Sequence, residues 1–410
     1  MTAGPGLVGL QVRPGHPDFL DLPWDLPLSR WGERCARIVE VTRGVSRHDV
    51  LFLQYDRALY VVKELPPALG EREYGALRWL EDRELPAVVA AGHAHVRTGE
   101  GDASVLITRF LDRSLPFRTL FENAGLETYR ARLLDAIAGL LVRLHLGGFY
   151  WGDCSLSNTL FRRDAGELRA YLVDAETAEM HDPLSDGQRR HDIEILEENV
   201  TGDLLDVAAM LGVAPPPWLY ETGAALRARY EQLWGEITRE ELISAGESWR
   251  IHERIRSLNA LGFTVGEVKL EPTGDGSRLR MRAVVTDRDY HRDLLHALTG
   301  LVAEDRQAAL MVNEIQELRA TLVRRENRSV ALAVAAYRWL NERWLPAIRK
   351  LAPRPGSDPA ELYCQLLEHK WYLSERARRD VGFDAALEDW LRRFPPPAAR
   401  PPSPPPPDPE

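Results

Sequence analysis

Apolar and polar residues alternate in three short segments near the start of the chain, at residues 37–42, 50–55 and 58–65. Residues with β-branched and aromatic side chains are frequent in these segments, and the connections between them are short. This composition, bounded by turns, is typical of antiparallel strands. The pattern therefore predicts a three-stranded meander. Residues 1–30 are rich in glycine and proline and are predicted to form an irregular arm that packs on the sheet through Trp24.

A helical period follows the meander. Apolar residues recur at i, i+3 and i+6 within residues 71–81, which predicts an amphipathic helix. Residues 87–91 and 104–108 read as two further strands around a charged hairpin. Residues 120–146 are predicted to be helical throughout, and a further helix is predicted over 191–210.

The second half of the chain begins after a proline-rich boundary at residues 214–217. Residues 265–271 and 279–285 alternate around a Gly-Asp-Gly turn and predict a hairpin. Residues 218–261 are predicted to be mostly helical, and further helices are predicted at 290–325, 330–348, 359–379 and 385–394. Residues 396–410 form a proline-rich tail without packing residues. The order of elements predicts an α+β architecture followed by a mainly helical domain with one β-hairpin.

Composition and charge narrow the class of protein. The chain has 410 residues, a net charge of −10 and three widely spaced cysteines. This charge does not indicate a nucleic-acid or anionic-membrane partner, and the cysteine count favours a reducing compartment over a disulfide framework. Neither a signal peptide nor a membrane-spanning run is visible in the sequence. We therefore expect a soluble cytoplasmic protein, with an oligomeric state that the sequence does not indicate.

Two polar positions mark the loop before a short apolar strand. Asp153 and Asn158 are five residues apart, and the strand at 159–161 follows them directly. A second apolar run, at 171–173, ends on Asp174. Carboxylate and amide oxygens are suitable ligands for Mg²⁺, and a carboxylate aligns the acceptor in phosphoryl transfer. The spacing Asp-x-x-x-x-Asn, followed by an Asp at a strand end, is the pattern of a kinase catalytic loop and its metal-binding Asp.

The chain uses arginine almost everywhere, and Lys63 is its only lysine before Lys269. Lys63 lies in an apolar predicted strand, where a compact ammonium charge serves better than a guanidinium fork. It is predicted to pair with nucleotide phosphates. The alternative is a lysine at a strand edge whose charge reaches solvent.

Other candidates depend on Lys63. Glu73 lies in the first turn of the predicted helix and is expected to reach back to Lys63, with Glu71 as its rival; an acidic residue also favours a helix start for dipole reasons alone. Gly44 and Ser46 fit a degenerate nucleotide-covering loop, although most such turns are only turns. Further along the chain, His145, Asp192 and Asn199 are interpreted as structural residues, with bracing of the Asp153 loop as an alternative role for Asp192.

In this order, Lys63, Glu73, Asp153, Asn158 and Asp174 resemble the protein-kinase-like superfamily. The short gap after Lys63 and the absence of a long activation segment are most similar to the lipopolysaccharide (Kdo/WaaP-type) kinases, with the RIO and aminoglycoside-phosphotransferase groups nearby. The second half resembles an uncharacterised domain fused to such kinase-like domains in bacterial proteins. The resemblance implies a two-lobed protein-kinase-like fold. The expected domains are an arm at 1–30, lobes at 31–111 and 112–212, a helical domain at 218–395 and a disordered tail at 396–410.

The resemblance also implies roles and ligands. Lys63 would pair with the α- and β-phosphates of ATP, and Glu73 would orient Lys63. Asp153 would accept or orient an acceptor hydroxyl, while Asn158 and Asp174 would hold Mg²⁺. Trp151 and Gly152, and the Ala-Glu pair after Asp174, depart from the protein-kinase pattern and argue against protein substrates.

Three functional hypotheses are consistent with these residues. The favoured one is an ATP- and Mg²⁺-dependent phosphotransferase that acts on a hydroxyl of a sugar, glycolipid or other small molecule. The second is a pseudokinase or nucleotide-binding scaffold whose C-terminal domain carries the function. The third is a purely structural α+β protein, which requires five coincidental polar positions in order.

Overall fold

The computed structural model describes residues 6–41, 48–56, 58–122, 126–244, 247, 249–260, 264–272, 279–287, 289–326, 329–353 and 357–395. The strands are β1 (Gly6–Val12), β2 (Val50–Tyr55), β3 (Ala58–Leu65), β4 (Val89–Thr98), β5 (Gly101–Arg109), β6 (Leu115–Pro116), β7 (Phe149–Tyr150), β8 (Thr159–Asp164), β9 (Glu167–Leu172), β10 (Glu179–Met180), β11 (Glu241–Ile243), β12 (Thr264–Pro272) and β13 (Leu279–Asp287). The helices are α1 (Pro67–Asp82), α2 (Phe117–Glu122), α3 (Leu126–Leu146), α4 (Asp186–Met210), α5 (Thr222–Thr238), α6 (Trp249–Ala260), α7 (Tyr290–Thr299), α8 (Asp305–Glu326), α9 (Leu332–Trp339), α10 (Leu345–Leu351), α11 (Pro359–Ala377) and α12 (Phe383–Arg393).

The first lobe is built on an antiparallel five-stranded sheet with the order β1-β4-β5-β3-β2. The strand β3 is central to the site because it pairs with β2 on one side and β5 on the other, so that Lys63 lies opposite Val50 and Leu106. Tyr60 and Val62, at alternate positions of β3, are buried in the same core cluster. A side chain at the intervening positions therefore points to the other face of the sheet.

Two predictions about the start of the chain were wrong. The arm was expected to be irregular, yet Gly6–Val12 forms the edge strand β1 and pairs with β4. The segment at 37–42 was expected to be a strand, but among its described residues only Ile38 forms a bridge, with Leu53. Both errors concern which segments pair with each other in the sheet. The alternation of apolar and polar residues within one segment does not indicate its pairing partner.

The second lobe is organised around α3, whose apolar residues from Leu133 to Leu144 are buried. The small strands β6, β8 and β9 form one sheet, and β7 pairs with β10. The predicted helix at 120–146 is observed as α2 and α3, separated by residues outside the described part of the chain. A capping box, in which Ser185 accepts a hydrogen bond from the backbone N–H of Gln188, begins α4.

The remaining elements before residue 289 are α5, α6 and a three-stranded sheet with the order β11-β13-β12. Strands β12 and β13 are antiparallel and register Val268 opposite Ala283, so the predicted hairpin strands are present. The residues of the connecting turn lie outside the described ones.

The chain divides into two compact units, Met1–Arg163 with Glu167–Arg288, and Asp164–Gly166 with Asp289–Glu410. The second unit is helical, and its core contains Trp339, Trp344 and Tyr363. Its two long predicted helices are interrupted. Gly300, with φ 73°, ends α7, and a π-helical segment at Leu340–Trp344 separates α9 from α10. Each helix among the described residues is too short or too polar to span a lipid bilayer.

Candidate active site

Lys63 on β3 is surrounded by three carboxylates. Its Nζ lies 3.1 Å from Glu73 Oε2, 2.7 Å from Asp174 Oδ2 and 2.6 Å from Glu176 Oε1. Its side chain is only 11% exposed, so it does not extend to solvent as a strand-edge lysine would. The structure therefore brings together residues from β3, α1 and the segment after β9.

Glu73, and not its rival Glu71, is the partner on α1. The helix begins after Pro66, and its inner face buries Glu73 while Glu71 stays exposed. Besides Lys63, Glu73 accepts a hydrogen bond from the backbone N–H of Ala175 at 3.4 Å. Glu73 thus connects α1 to both the lysine and the segment that carries Asp174.

Burial and charge act in opposite directions in this cluster. Burial opposes the charge on Lys63, but the carboxylates of Glu73 and Asp174 more than offset it and raise the lysine pKa above its usual value. Burial, together with the like charge of Asp174, raises the pKa of Glu73 well above that of an ordinary carboxyl group. Three carboxyl groups surround one ammonium group, an arrangement that favours a further cation.

Glu176 and His48 were not among the site residues predicted from the sequence. Glu176 contacts two nitrogen-bearing side chains, since its Oε1 is 2.6 Å from Lys63 Nζ and 2.9 Å from His48 Nε2. In the sequence, Glu176 is marked only as an acidic residue two positions after Asp174, where it departs from the protein-kinase pattern. The oxygens of Glu73, Asp174 and Glu176 lie within 4.8 Å of one another, as ligands of a single cation would.

The loop between β7 and β8 carries Asp153 and Asn158. The side-chain nitrogen of Asn158 donates to the carboxylate Oδ2 and to the backbone carbonyl of Asp153, at 3.1 Å in each case. This orientation leaves the amide oxygen of Asn158 for a cation. Gly152 precedes Asp153 with φ 78°, a conformation that favours glycine, and a Cβ there would lie 2.9 Å from the carbonyl oxygen of Thr177.

A buried acid on α4 holds the start of this loop. Asp192, which is 0% exposed, accepts hydrogen bonds from the backbone N–H groups of Trp151 at 2.7 Å and Gly152 at 2.8 Å. It also lies 3.1 Å from Nε2 of the buried His145, whose Nδ1 is 2.8 Å from the Tyr230 hydroxyl. Asp192 therefore makes the bracing contacts that the sequence offered as an alternative, and His145 is a structural residue of the same network.

The two acid-bearing segments lie next to each other. The backbone N–H of Val173 donates to the carbonyl of Asn158 at 3.1 Å, and the indole N–H of Trp151 donates to the carbonyl of Asp174 at 3.0 Å. These bonds place the loop of Asp153 beside the strand end of Asp174, and hence beside Lys63. Gly44 and Ser46, predicted to cover the nucleotide, lie outside the described residues.

The residues present fit a magnesium ion. Asp174 and Glu176 supply carboxylate oxygens, and Asn158 supplies an amide oxygen, all of which are hard ligands of the kind that Mg²⁺ prefers. Glu176 Oε1 is buried and lies in contact with Lys63 Nζ and His48 Nε2.

Two family models match separate parts of the chain. Residues 53–209 match the model of the lipopolysaccharide kinase (Kdo/WaaP) family, and residues 232–394 match a domain of unknown function, DUF4032. The resemblance stated from the sequence is thereby confirmed. No curated protein matches the chain.

Among solved structures, 453 chains match. One is described as WaaP in complex with acyl carrier protein; it is 18% identical, and the match covers 56% of the present chain and 98% of the other, with a TM-score of 0.34.

Proposed function

We propose that this chain, whose residues 53–209 carry the lipopolysaccharide kinase (Kdo/WaaP) family match, is an ATP- and Mg²⁺-dependent phosphotransferase. The observation that supports this most is the contact of Lys63 with Glu73 and Asp174, beside a loop in which Asn158 orients Asp153. Phosphoryl transfer depends mainly on positioning and charge stabilisation, and this arrangement supplies both.

Lys63 pairs with the nucleotide phosphates, and Glu73 keeps the ammonium group in place from α1. Without nucleotide, Lys63 Nζ is held by Asp174 and Glu176 at 2.7 and 2.6 Å. Phosphate oxygens take over these contacts, because a triphosphate brings its own negative charge to the lysine. Asp174 and Asn158, with Glu176 as a third candidate, are then free to hold the metal. The metal supplies charge neutralisation at the phosphates.

Asp153 serves the acceptor. A hydroxyl group beside its carboxylate donates its proton to Asp153 while the hydroxyl oxygen forms a bond to the γ-phosphorus. The bond between that phosphorus and the bridging oxygen breaks, and ADP leaves with the bridging oxygen. Asn158 keeps the carboxylate of Asp153 oriented through a bond of 3.1 Å.

The acceptor that we propose is a sugar, a glycolipid or another small molecule. Protein kinases carry a long activation segment between the metal-binding Asp and the next large helix, where it takes part in forming the substrate site. Here only a short connection with β10 lies between Asp174 and the start of α4 at Asp186. The nucleotide requirement and the three free cysteines, Cys35, Cys154 and Cys364, support the cytoplasm as its compartment.

A thermal-shift measurement tests nucleotide binding. Wild-type protein with ATP and Mg²⁺ at about a hundredfold the dissociation constant gains about 2.7 kcal/mol of stability. We expect Asp174→Ala to lose this gain and Glu198→Gln, an exposed change on α4, to keep it. The absence of any shift in the wild type would contradict nucleotide binding.

ATP turnover in Asp153→Asn separates the enzyme from the scaffold. An enzyme loses turnover in this variant but keeps the thermal shift, because Asp153 does not hold the nucleotide. If the wild type binds ATP but transfers no phosphoryl group to water or to any of a panel of sugars and glycolipids, the nucleotide-binding scaffold is the better description.

A further inference from the structure

Three polar residues of α4 lie along one face of the helix. Asn199 lies two helical turns after Asp192, and Asp203 lies one turn after Asn199, so the three side chains share one stripe of the helix. Each contacts a successive part of the loop at residues 151–158. The loop therefore runs along α4 in register with it.

Asn199 occupies the middle of the stripe, where the loop carries Asp153. Its side-chain nitrogen lies 3.3 Å from Asp153 Oδ1 and 3.0 Å from the carbonyl oxygen of Cys154, and it donates to both. One amide group thus holds the carboxylate of Asp153 and the backbone of the next residue.

Asp203 holds the far end of the loop. It accepts hydrogen bonds from the backbone N–H groups of Leu156 at 2.9 Å and Ser157 at 3.2 Å, and from the Ser157 hydroxyl at 2.5 Å. These residues lie directly before Asn158. The contacts of Asp203 and Asp192 therefore fix the loop on both sides of the Asp153 contact made by Asn199.

From this register we infer that Asn199 is a positioning residue for the proposed phosphotransferase, which fixes the carboxylate of Asp153 toward the acceptor. The inference rests on the proposed function. Asp153 receives one amide donor on each oxygen, from Asn158 on its own loop at 3.1 Å and from Asn199 on α4 at 3.3 Å. With both oxygens restrained by separate elements, rotation of the carboxylate about χ2 is limited.

The chemical type of residue 199 matters as well as its position. An arginine or lysine there would neutralise the carboxylate that has to accept a proton, and an acid would repel it. A neutral amide orients the carboxylate and leaves its charge in place. Unlike a purely structural contact, this one predicts an effect on turnover that exceeds any effect on nucleotide binding.

The test compares three variants of the full chain. Asn199→Leu removes both donors at similar volume, and Asn199→Asp is isosteric but places a second carboxylate against Asp153. Thr201→Ala is the control, because the Thr201 hydroxyl on the same helix donates to the carbonyl of Glu197 within α4 and not to the loop at residues 151–158. Turnover of ATP with Mg²⁺ gives kcat and the KM for ATP.

We expect Asn199→Leu to lower kcat by about tenfold to a hundredfold, because a misplaced catalytic group costs that much, with the KM for ATP within about twofold of wild type. Asn199→Asp should be slower still, and Thr201→Ala should match wild type. A folded Asn199→Leu protein with unchanged kcat would overturn the inference, as would a rise in KM with kcat preserved, or an Asp variant as active as wild type.

A readout without nucleotide separates this inference from the proposed function. Amide hydrogen exchange of a peptide that spans residues 151–158 should be faster in Asn199→Leu than in Thr201→Ala, because the Cys154 carbonyl and the Asp153 carboxylate are released. Unchanged exchange in both Asn199 variants would contradict the positioning role even in a protein that turns over no ATP. If the wild type shows no ATP turnover but the loop still exchanges faster in Asn199→Leu than in Thr201→Ala, that result counts against the proposed function alone. If Asn199→Leu does not fold, Asn199→Asp gives the same comparison.

Discussion

Lys63 Nζ and Asp174 Oδ2 are 2.7 Å apart although 111 residues separate them in the chain. This contact joins β3 of the first lobe to the segment that follows β9 in the second lobe. Glu73, itself 1% exposed, reaches the same ammonium group from α1. Lys63 is therefore the cation on which the balance of charge in the site depends.

Removal of Lys63 should destabilise the protein. In Lys63→Met, the buried Glu73 loses its ammonium partner while Asp174 remains nearby, and we expect a loss of about 3–5 kcal/mol in the free energy of unfolding. Chemical denaturation measures this loss. The double variant Lys63→Met/Glu73→Gln should recover part of it, and strictly additive losses would show that the two residues are not coupled. A separate variant, Lys63→Arg, should keep the positive charge at this position but turn over ATP more slowly than wild type, because the guanidinium group does not replace a compact ammonium group.

The raised pKa of Glu73 predicts a specific pH dependence of stability. Burial, and then the charge of Asp174, make the folded state bind the Glu73 proton more tightly than the unfolded chain does. The contribution of this group is therefore present at low pH, and it is lost as pH rises from the ordinary carboxyl range through the raised folded value. The slope for one group is at most about 1.4 kcal/mol per pH unit.

Urea unfolding at a series of pH values, with wild type and Glu73→Gln side by side, isolates this contribution. The glutamine variant should gain stability relative to wild type as pH rises through neutrality. A difference between the two proteins that stays constant with pH would contradict the assignment of the raised pKa to Glu73.

Asp192 should be among the most sensitive positions of the second lobe. Asp192→Ala leaves two backbone N–H groups and one His145 nitrogen without their acceptor in a buried site, and we expect a loss of about 3–5 kcal/mol. Thermal and urea unfolding measure it. The exposed change Glu198→Gln on the same helix should stay within about 0.5 kcal/mol of wild type. A similarly small effect at Asp192 would show that the loop does not need this brace.

Gly152 should not tolerate a side chain. In Gly152→Ala, the residue keeps φ near 78° only at a cost of about 1–2 kcal/mol, and its Cβ meets the carbonyl of Thr177 at 2.9 Å. We expect lower stability together with lower ATP turnover, because Asp153 follows directly. Gly202→Ala on α4 is the matched control, since a Cβ there meets nothing within 4 Å and should stabilise the helix by about 0.5–1 kcal/mol. Equal melting temperatures for the two variants would contradict this account.

Local patterns were enough for much of the fold and for several members of the site. The apolar alternation predicted β2 and β3, and the spacing of apolar residues predicted α1, because both depend on neighbours within a few residues. Helix boundaries in the second unit were predicted less well. Gly300 and the π-helical segment interrupt runs whose apolar periodicity continues on both sides.

Site residues that act through distant partners were harder to find. Glu176 and Asn199 have no local feature that separates them from ordinary polar residues, and their importance depends on what lies opposite them. His48, at 2.9 Å from Glu176, belongs to the same class. A polar side chain becomes part of a site only when another segment approaches it, and no pattern within a short window reports that approach.

The amino-acid sequence by itself determined the types of element, the order of the polar residues along the chain and the family to which residues 53–209 are matched. Tertiary structure alone decided that Gly6–Val12 completes the sheet, that Glu73 and not Glu71 faces Lys63, and that α4 lies along the loop at residues 151–158. The physical reason is that secondary structure depends on periodicity over a few residues, whereas hydrogen bonds and ion pairs between distant segments depend on how the packed elements are placed.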